Sequence, residues 1–223
     1  MIIAIDGPAG SGKSSTAKEV ARRVSALYID TGAMYRAVAL SCLRHDLIPE
    51  SDRLFEHLQR INIEFESSDT GLHVFLDGED VSDAIRDSKI SEWSSRFSKM
   101  PAVRERLVSI QRELAKNEVN AGGKVVMEGR DIGTVVFPHA ELKVFLRADP
   151  AIRAERRVKQ LQEKGTQADV QTILREIIER DTRDESREMS PLVKAADAIE
   201  LDTSGLSFEE QVENIIGLIQ GNG

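Results

Sequence analysis

The stretch Gly7–Ser14, with the sequence GPAGSGKS, decides the fold of this chain of 223 residues. It matches the pattern G-x-x-x-x-G-K-[ST], whose glycines let backbone N–H groups turn inward and form a nest for anions. Met1–Ile5 before it is short and β-branched like a buried strand, and Lys13 to about Ser25 has apolar residues at helical spacing. The strand, loop and helix together predict a phosphate-binding loop, in preference to an ordinary glycine-rich turn.

The parts of this loop have distinct predicted roles. Lys13 would reach the β- and γ-phosphates of ATP, and the Ser14 hydroxyl would be a ligand of Mg²⁺. A GTPase switch protein would need an N-K-x-D tetrapeptide after a later strand, and the sequence has none. The predicted ATP-binding residues are Gly7, Pro8, Ala9, Gly10, Ser11, Gly12, Lys13, Ser14 and Ser15.

Strands and helices alternate through the rest of the chain. Further strands are predicted at Leu27–Asp30, Lys124–Met127, Leu142–Leu146 and Ala198–Leu201. Further helices are predicted from Thr31, from Pro101, over about 151–164 and 169–185, and after the capping box Ser207–Glu210. Because this alternation requires right-handed crossovers, we predict an α/β fold with a parallel sheet flanked by helices.

The middle of the chain interrupts this alternation. Ile61–Glu66 alternates apolar and polar residues, Ser67–Gly71 has the composition of a turn, and Leu72–Leu76 is again strand-like. A second turn is predicted at Asp77–Gly78. We therefore expect a small antiparallel insert of the hairpin type within the α/β core.

Composition excludes several classes of function. Asp and Glu number 38 against 30 Lys and Arg, and the net charge of -8 argues against binding of nucleic acid through many phosphates. No apolar run approaches the ~18 residues of a membrane span, so no membrane partner is expected. The single cysteine, Cys42, and an N-terminal stretch too short for a signal peptide favour a cytoplasmic protein. Nothing in the sequence requires more than a monomer.

Two sets of arginines recur at helical spacing. Arg153, Arg156 and Arg157 would share one helix face, and Arg180, Arg183, Asp184 and Arg187 would share another. The alternative is a solvated helix with salt bridges, because Glu176 and Glu179 stand four residues before Arg180 and Arg183. In an ATP-binding protein, however, arginines suit a second anionic substrate and the charge of a transferring phosphoryl group. Arg36 and Arg130 are further candidates.

Several stretches resemble the bacterial cytidylate (CMP) kinases, a family of nucleoside monophosphate kinases with a P-loop. The resemblance runs nearly end to end, with the motifs in the family's order. The matching stretches are Asp6–Ser14 (DGPAGSGKS), Asp30–Arg36 (DTGAMYR), Gly78–Val81 (GEDV), Glu128–Pro138 (EGRDIGTVVFP), Gln160–Gly165 (QLQEKG), Arg180–Arg187 (RDTRDESR), Ala195–Ala198 (AADA) and Asp202–Ser204 (DTS).

The resemblance implies a single P-loop nucleoside monophosphate kinase domain over 1–223. It would contain a substrate-binding insert at about 61–87, which closes over the monophosphate, and a mobile helical lid at about 150–167. It also implies that Ser95, Arg104 and Asp131 recognise the cytosine, with Ser91, Ser94 and Ser98 as rivals of Ser95. Arg36 and Arg130, with Thr31 nearby, would hold the CMP phosphate, and Arg180, Asp184 and Arg187 would contact the sugar and phosphate. The adenine pocket would lie near Asp202–Gly205.

The expected reaction transfers the γ-phosphoryl group of Mg-ATP in line to CMP or dCMP, without a covalent enzyme intermediate or a strong general base. The residues expected to act in catalysis are Lys13, Arg130, Arg153, Arg157, Arg180 and Arg187. The alternatives are another small P-loop kinase, of the uridylate or shikimate type, and a silent ATP-binding module.

Overall fold

The structure, a computed structural model, describes residues 1–68, 71–163 and 165–221. Of the predicted turn at 67–71, Asp69 and Thr70 lie outside the described residues, as does Lys164 within the predicted lid. The elements in chain order are β1 (Ile2–Asp6), α1 (Lys13–Arg23), β2 (Leu27–Asp30), α2 (Thr31–Arg44), α3 (Leu54–Arg60), β3 (Ile63–Ser68), β4 (Gly71–Leu76), β5 (Glu79–Asp80), α4 (Ser88–Phe97), α5 (Pro101–Asn120), β6 (Val125–Gly129), β7 (Leu142–Arg147), α6 (Pro150–Glu163), α7 (Val170–Glu185), β8 (Ile199–Asp202) and α8 (Phe208–Gly221).

A five-stranded sheet has the order β2-β6-β1-β7-β8, which confirms the predicted α/β class. The central strand β1 pairs in parallel with β6 and with β7, so that Ile3 faces both Val126 and Leu142 in register. Ile3, Ala4 and Ile5 have no exposed surface. A parallel strand covered by helices on both faces is apolar throughout, which is why the N-terminal residues do not alternate.

The chain divides into two compact units. The first consists of Met1–Tyr28 and Glu118–Gly223, and the second of Ile29–Asn117. In the first unit α1 contacts α8 and β6, while α6 packs against α7. Four buried residues, Ala154, Val158, Ile173 and Ile177, form the apolar cluster between α6 and α7.

The second unit contains the antiparallel sheet, in the order β3-β4-β5. The predicted hairpin is confirmed as β3 and β4, and the short strand β5 after Asp77–Gly78 adds a third strand that the sequence did not predict. Helix α2 packs against α3, α4 and β4. In α5, the helical spacing of Val103, Leu107, Ile110 and Leu114 predicts a buried stripe. The first three are buried and Leu114 is half-buried.

Two helix starts have the caps that the sequences Asp149-Pro150 and Ser207–Glu210 predict. The Asp149 carboxylate accepts from the N–H of Ala151 at the start of α6, over 2.8 Å. At the start of α8, Ser207 and Glu210 bond reciprocally, as a capping box requires: the Glu210 carboxylate accepts from the Ser207 N–H and the Ser207 hydroxyl accepts from the Glu210 N–H.

Among the described residues, no helix is both long enough and apolar enough to span a bilayer.

Gly7 is tightly constrained where β1 turns into the phosphate loop. Its φ is 150°, and a Cβ there would lie far inside van der Waals contact with the carbonyl oxygen of Leu146 on β7. We expect Gly7→Ala to lower the free energy of unfolding by at least about 2 kcal/mol, measured by urea denaturation. Gly122→Ala is the matched control, since Gly122 has a φ of 84° but no atom near its Cβ position. It should cost about 1 kcal/mol, and an equal loss in both variants would contradict the clash with β7.

Candidate nucleotide-binding site

The phosphate loop occupies the turn between β1 and α1, as its sequence predicts. Gly12, the last residue before α1, has a φ of 89°, in the left-handed region that favours glycine. A Cβ at Gly12 would also lie 2.9 Å from Oε1 of Gln211 on α8. The loop therefore depends on glycine here for its backbone conformation and for the close approach of a neighbouring helix.

Lys13 is a buried cation in a positively charged neighbourhood. The residue is 5% exposed, and Nζ donates to the carbonyl oxygen of Pro8 over 2.6 Å. Burial and the nearby guanidinium of Arg130 lower the pKa of Lys13 to about 7, and Arg180 acts in the same direction. The carboxylates of Glu128 and Asp6 only partly oppose this effect. Such a site gains most from an arriving anion, which restores the charged form of the lysine.

Asp6 holds the segment after β6 against the end of β1. Its two carboxylate oxygens accept from the backbone N–H groups of Ile132 and Gly133, over 2.9 and 2.7 Å. Burial raises the pKa of Asp6 to about 6, although these two hydrogen bonds work against the rise. The bonds secure a single π-helical turn, Ile132–Val136, immediately after Arg130 and Asp131. Sequence reasoning gave Asp6 no role, and its position between a buried strand and the loop was the available signal.

Arg130, Asp184 and Arg187 are brought together, as the predicted site requires. Arg130 Nε donates to Asp184 Oδ2 over 2.8 Å, and Arg187 Nη2 lies 3.6 Å from Asp184 Oδ1. Burial acts to raise the pKa of Asp184, but the guanidinium of Arg130, followed by those of Arg187 and Arg180, holds it below its usual range. The Asp184 carboxylate is therefore charged, and it orients the arginines around it.

The three arginines of α6 have different environments. Arg153 is buried, Arg156 is half-buried and Arg157 is exposed. Arg156 Nη2 donates to the carbonyl oxygen of Thr203 over 2.6 Å. Of the three, Arg157 is thus the most accessible to a ligand, while Arg153 and Arg156 bind atoms of the protein.

The loop that follows β8 is hydrogen-bonded to the phosphate loop. The buried Thr203 hydroxyl lies 3.2 Å from the carbonyl oxygen of Ser11, to which it can donate. Gln211 adds a second connection: its Oε1 accepts from the Thr16 hydroxyl over 3.1 Å, and its Nε2 donates to the carbonyl oxygen of Leu206 over 3.2 Å. These contacts place 202–206 beside the phosphate loop, where a base attached to a bound triphosphate could be held. Sequence reasoning did not identify Gln211 or Arg156 as residues that support this loop.

The second unit contains Thr31, Arg36, Ser95 and Arg104. Arg36 Nη2 donates to Asp30 Oδ2 over 3.2 Å, and Asp30 Oδ1 accepts from the N–H of Ala33 at the start of α2. Arg104 is buried, with its guanidinium carbon 5.9 Å from the centroid of the Tyr35 ring. Arg36 is thus oriented by the last residue of β2, and Arg104 lies over a ring of α2. Thr31 is buried at the start of α2.

The serine hydroxyls of α4 and of its C-cap, Ser98, distinguish Ser95 from two of its rivals. Ser91 donates to the carbonyl oxygen of Asp87 over 3.2 Å, and Ser98 donates to that of Ser95 over 3.0 Å. Within the described part of the chain, the hydroxyls of Ser94 and Ser95 make no such bond. Ser95 therefore remains a candidate for contact with a ligand, together with Ser94.

The residues at the start of α1 fit a magnesium ion that arrives with a nucleotide. Ser14 is exposed in the first turn, whereas the neighbouring Ser15 hydroxyl donates to the carbonyl oxygen of Gly12 over 3.0 Å. A hydroxyl oxygen next to phosphate oxygens is the kind of hard ligand that Mg²⁺ prefers.

The lowered pKa of Lys13 predicts proton uptake on binding of ATP. Free Lys13 is largely neutral at pH 8, and a bound phosphate should raise its pKa, so that binding takes up a proton there and none well below pH 7. Calorimetric titration of ATP at pH 8, in two buffers that differ in ionisation enthalpy, measures this uptake. Lys13→Met is the control and should show none. An uptake that is the same in both proteins, or absent from the wild type, would contradict the assignment.

The chain is similar in sequence to known cytidylate kinases. The profile of the family described as cytidylate kinase matches residues 3–221. The cytidylate kinase of Geobacillus sp. strain WCH70 is 47% identical over 97% of this chain and 95% of its own length. That of Fervidobacterium nodosum is 44% identical over 98% and 95%. An uncharacterized protein from Eubacterium ventriosum has a solved structure that covers 99% of this chain and 98% of its own, with a TM-score of 0.53 and 15% identity, and shows the likeness of fold alone.

The family profile covers almost the entire chain, and the relatives exceed 40% identity over nearly their full length. The motifs that carry the resemblance, from the phosphate loop to the arginines of α7, lie within the matched residues. The chain belongs to the cytidylate kinase family.

Proposed function

We propose that this chain transfers the γ-phosphoryl group of ATP to CMP or dCMP, giving ADP and CDP or dCDP. The family identifies the activity as ATP-dependent phosphorylation of CMP. The observation that supports it within the structure is the buried Lys13, which lies in a phosphate loop with Arg130 and Arg180 as its cationic neighbours. This excess of positive charge suits a reaction between two phosphate-bearing substrates.

The chain's contribution to catalysis is position and charge. The acceptor phosphate oxygen is already nucleophilic, so the protein has to align it with the γ-phosphorus and stabilise the equatorial oxygens. We assign direct contact with the transferring phosphoryl to Lys13, Arg130, Arg157, Arg180 and Arg187. Ser14 would hold Mg²⁺, which would neutralise part of the negative charge of the triphosphate. Asp6 keeps the segment after β6 in place through Ile132 and Gly133.

Recognition of the acceptor is assigned to side chains whose polar groups match cytosine and a 5′-phosphate. Asp131 and Ser95 would accept from the N4 amino group, and Arg104 would donate to N3 and O2. Arg36 and Arg130, with Thr31, would bind the phosphate. Asp184, charged and oriented by Arg130, would accept from a ribose hydroxyl and, with Arg180 and Arg187, complete the contacts to sugar and phosphate.

The proposed organisation is one kinase domain over 1–223, with the substrate-binding insert at about 61–87 and the lid at about 150–167. The lid segment supports this in part, because it begins with α6 and includes the exposed Arg157. Closure of lid and insert would exclude water that otherwise hydrolyses ATP. We further propose a cytoplasmic monomer without nucleic-acid or membrane partners, in keeping with a single buried thiol and a net charge of -8.

A coupled assay of ADP release with CMP as acceptor tests the function directly. Lys13→Ala should lower kcat about 100-fold or more, and Arg187→Ala should lower it by a similar factor, because each removes a cation from the transition state. Arg175→Ala, an exposed residue of α7 outside the proposed site, is the matched control and should stay within twofold of wild type. Thermal melts establish that each variant is folded. Near-normal turnover in either site variant would refute its role.

The same assay with a panel of acceptors separates the alternatives. Turnover with UMP or shikimate but not CMP would indicate another small P-loop kinase, and ATP binding without turnover on any acceptor would indicate a silent module.

Asp131 should determine the preference for cytosine. With uracil, a carbonyl oxygen would face the Asp131 carboxylate, and two acceptors without a proton between them are strongly disfavoured in a buried site. We expect kcat/KM for CMP to exceed that for UMP at least about 100-fold, and Asp131→Ala to reduce the ratio below about 10. Asp52→Ala, which removes an exposed carboxylate elsewhere, should leave the ratio unchanged. A wild-type ratio near one, or a ratio unaltered in Asp131→Ala, would overturn the assignment.

A further inference from the structure

Arg153 has protein acceptors on each of its three guanidinium nitrogens. Nε donates to the carbonyl oxygen of Ala148 over 2.9 Å, Nη1 donates to that of Ala9 over 2.8 Å, and Nη2 donates to Asp181 Oδ2 over 2.6 Å. The residue is 3% exposed. A guanidinium bound in this way has little freedom to turn toward a substrate.

Asp181 supplies the charge that balances this buried arginine. Its side chain is 13% exposed, and its other oxygen, Oδ1, is buried and has no hydrogen-bond partner among the described residues. A buried carboxylate with one oxygen unbonded is costly unless a cation compensates it, and Arg153 is that cation. The two side chains are therefore held as a pair.

This Arg153–Asp181 ion pair connects the phosphate loop to α7. Arg153 binds the carbonyl of Ala9, and its Cβ lies 3.4 Å from the position that a Cβ of Gly10 would take, so it packs against two successive residues of the loop. Asp181 directly follows Arg180 on α7 and precedes Asp184 by one helical turn. The loop that binds phosphates and the helix that carries Arg180 and Asp184 are thus both fixed to one buried guanidinium.

We propose that Asp181 is a positioning residue for phosphoryl transfer, which acts through Arg153 on the Ala9 carbonyl. Arg153, which we expected to act in catalysis, then acts indirectly, by holding the phosphate loop. The direct contacts with the transferring phosphoryl group belong to the other arginines. The inference rests on the proposed function, since it concerns how the same site is held. It explains why two arginine-bearing helices are joined by an ion pair although their shared interface already has the apolar cluster of Ala154, Val158, Ile173 and Ile177.

A double-mutant cycle tests the proposal. Asp181→Asn and Arg153→Met should each lower kcat/KM for Mg-ATP by about tenfold or more, with KM for CMP within twofold of wild type. The double variant should be no worse than Arg153→Met, because residues that act as a unit do not give additive losses. Asp181→Glu, which keeps the charge, should recover most of the activity. Glu179→Gln, an exposed carboxylate two residues away on α7, is the control and should behave as wild type.

The outcomes separate positioning from a general structural role. Multiplicative losses in the double variant, a loss in Glu179→Gln equal to that in Asp181→Asn, or a rise in KM for CMP well beyond twofold would overturn the proposal. If Asp181→Asn does not fold, the comparison of Asp181→Glu with Arg153→Lys replaces it: the former should retain activity and the latter should lose part of it. Calorimetric Kd values for ATP, about fivefold weaker in Asp181→Asn, test the inference even if the wild type does not phosphorylate CMP. Unchanged Kd values together with unchanged kcat/KM would refute it.

Discussion

The burial of Lys13 among cations is the constraint on which the rest of the site depends. A lysine removed from water beside Arg130 and Arg180 is costly to keep charged, which its pKa of about 7 expresses. Lys13 Nζ donates a hydrogen bond to the Pro8 carbonyl oxygen, and the carboxylates of Glu128 and Asp6 lie close enough to favour the charged lysine. They do not compensate fully for its burial and its cationic neighbours. The remaining deficit of negative charge is what a polyphosphate would supply. The positive charge is thus left uncompensated at the place where the phosphates of the substrates are expected to bind.

The carboxylates of the first unit differ in what they do with neighbouring cations. Asp181 binds a fully enclosed guanidinium, so that its charge serves the architecture. Asp184 holds Arg130 and Arg187 in a common arrangement while its own charge is maintained by them. Asp6 binds backbone N–H groups and no arginine side chain in the described contacts. The chain therefore has a net charge of -8 and still forms a cationic site, because the acidic residues nearest the site hold arginine side chains and backbone N–H groups in place.

Local patterns made much of this structure predictable. The phosphate loop, the buried strand before it, the capping box at Ser207 and the buried stripe of α5 all depend on residues close together in sequence. The position of β6 beside β1, the π-helical turn after Asp131 and the partners of Arg153 depend on contacts between distant segments, which spacing cannot reveal. For the same reason helical spacing placed Arg153 and Arg157 on one face but could not show that one is buried and the other exposed.

The first unit is interrupted in the chain by the second, and this has a consequence for how the protein folds. The central strand β1 pairs with β6, so Ile2 pairs with Val125, which lies more than a hundred positions later in the chain. Closing so long a loop carries an entropic cost that local helix formation does not share. Contacts of high sequence separation also slow folding. We therefore expect the intervening segment, whose sheet strands β3, β4 and β5 are sequential hairpin neighbours, to gain structure early and to shorten the loop that the central sheet must close.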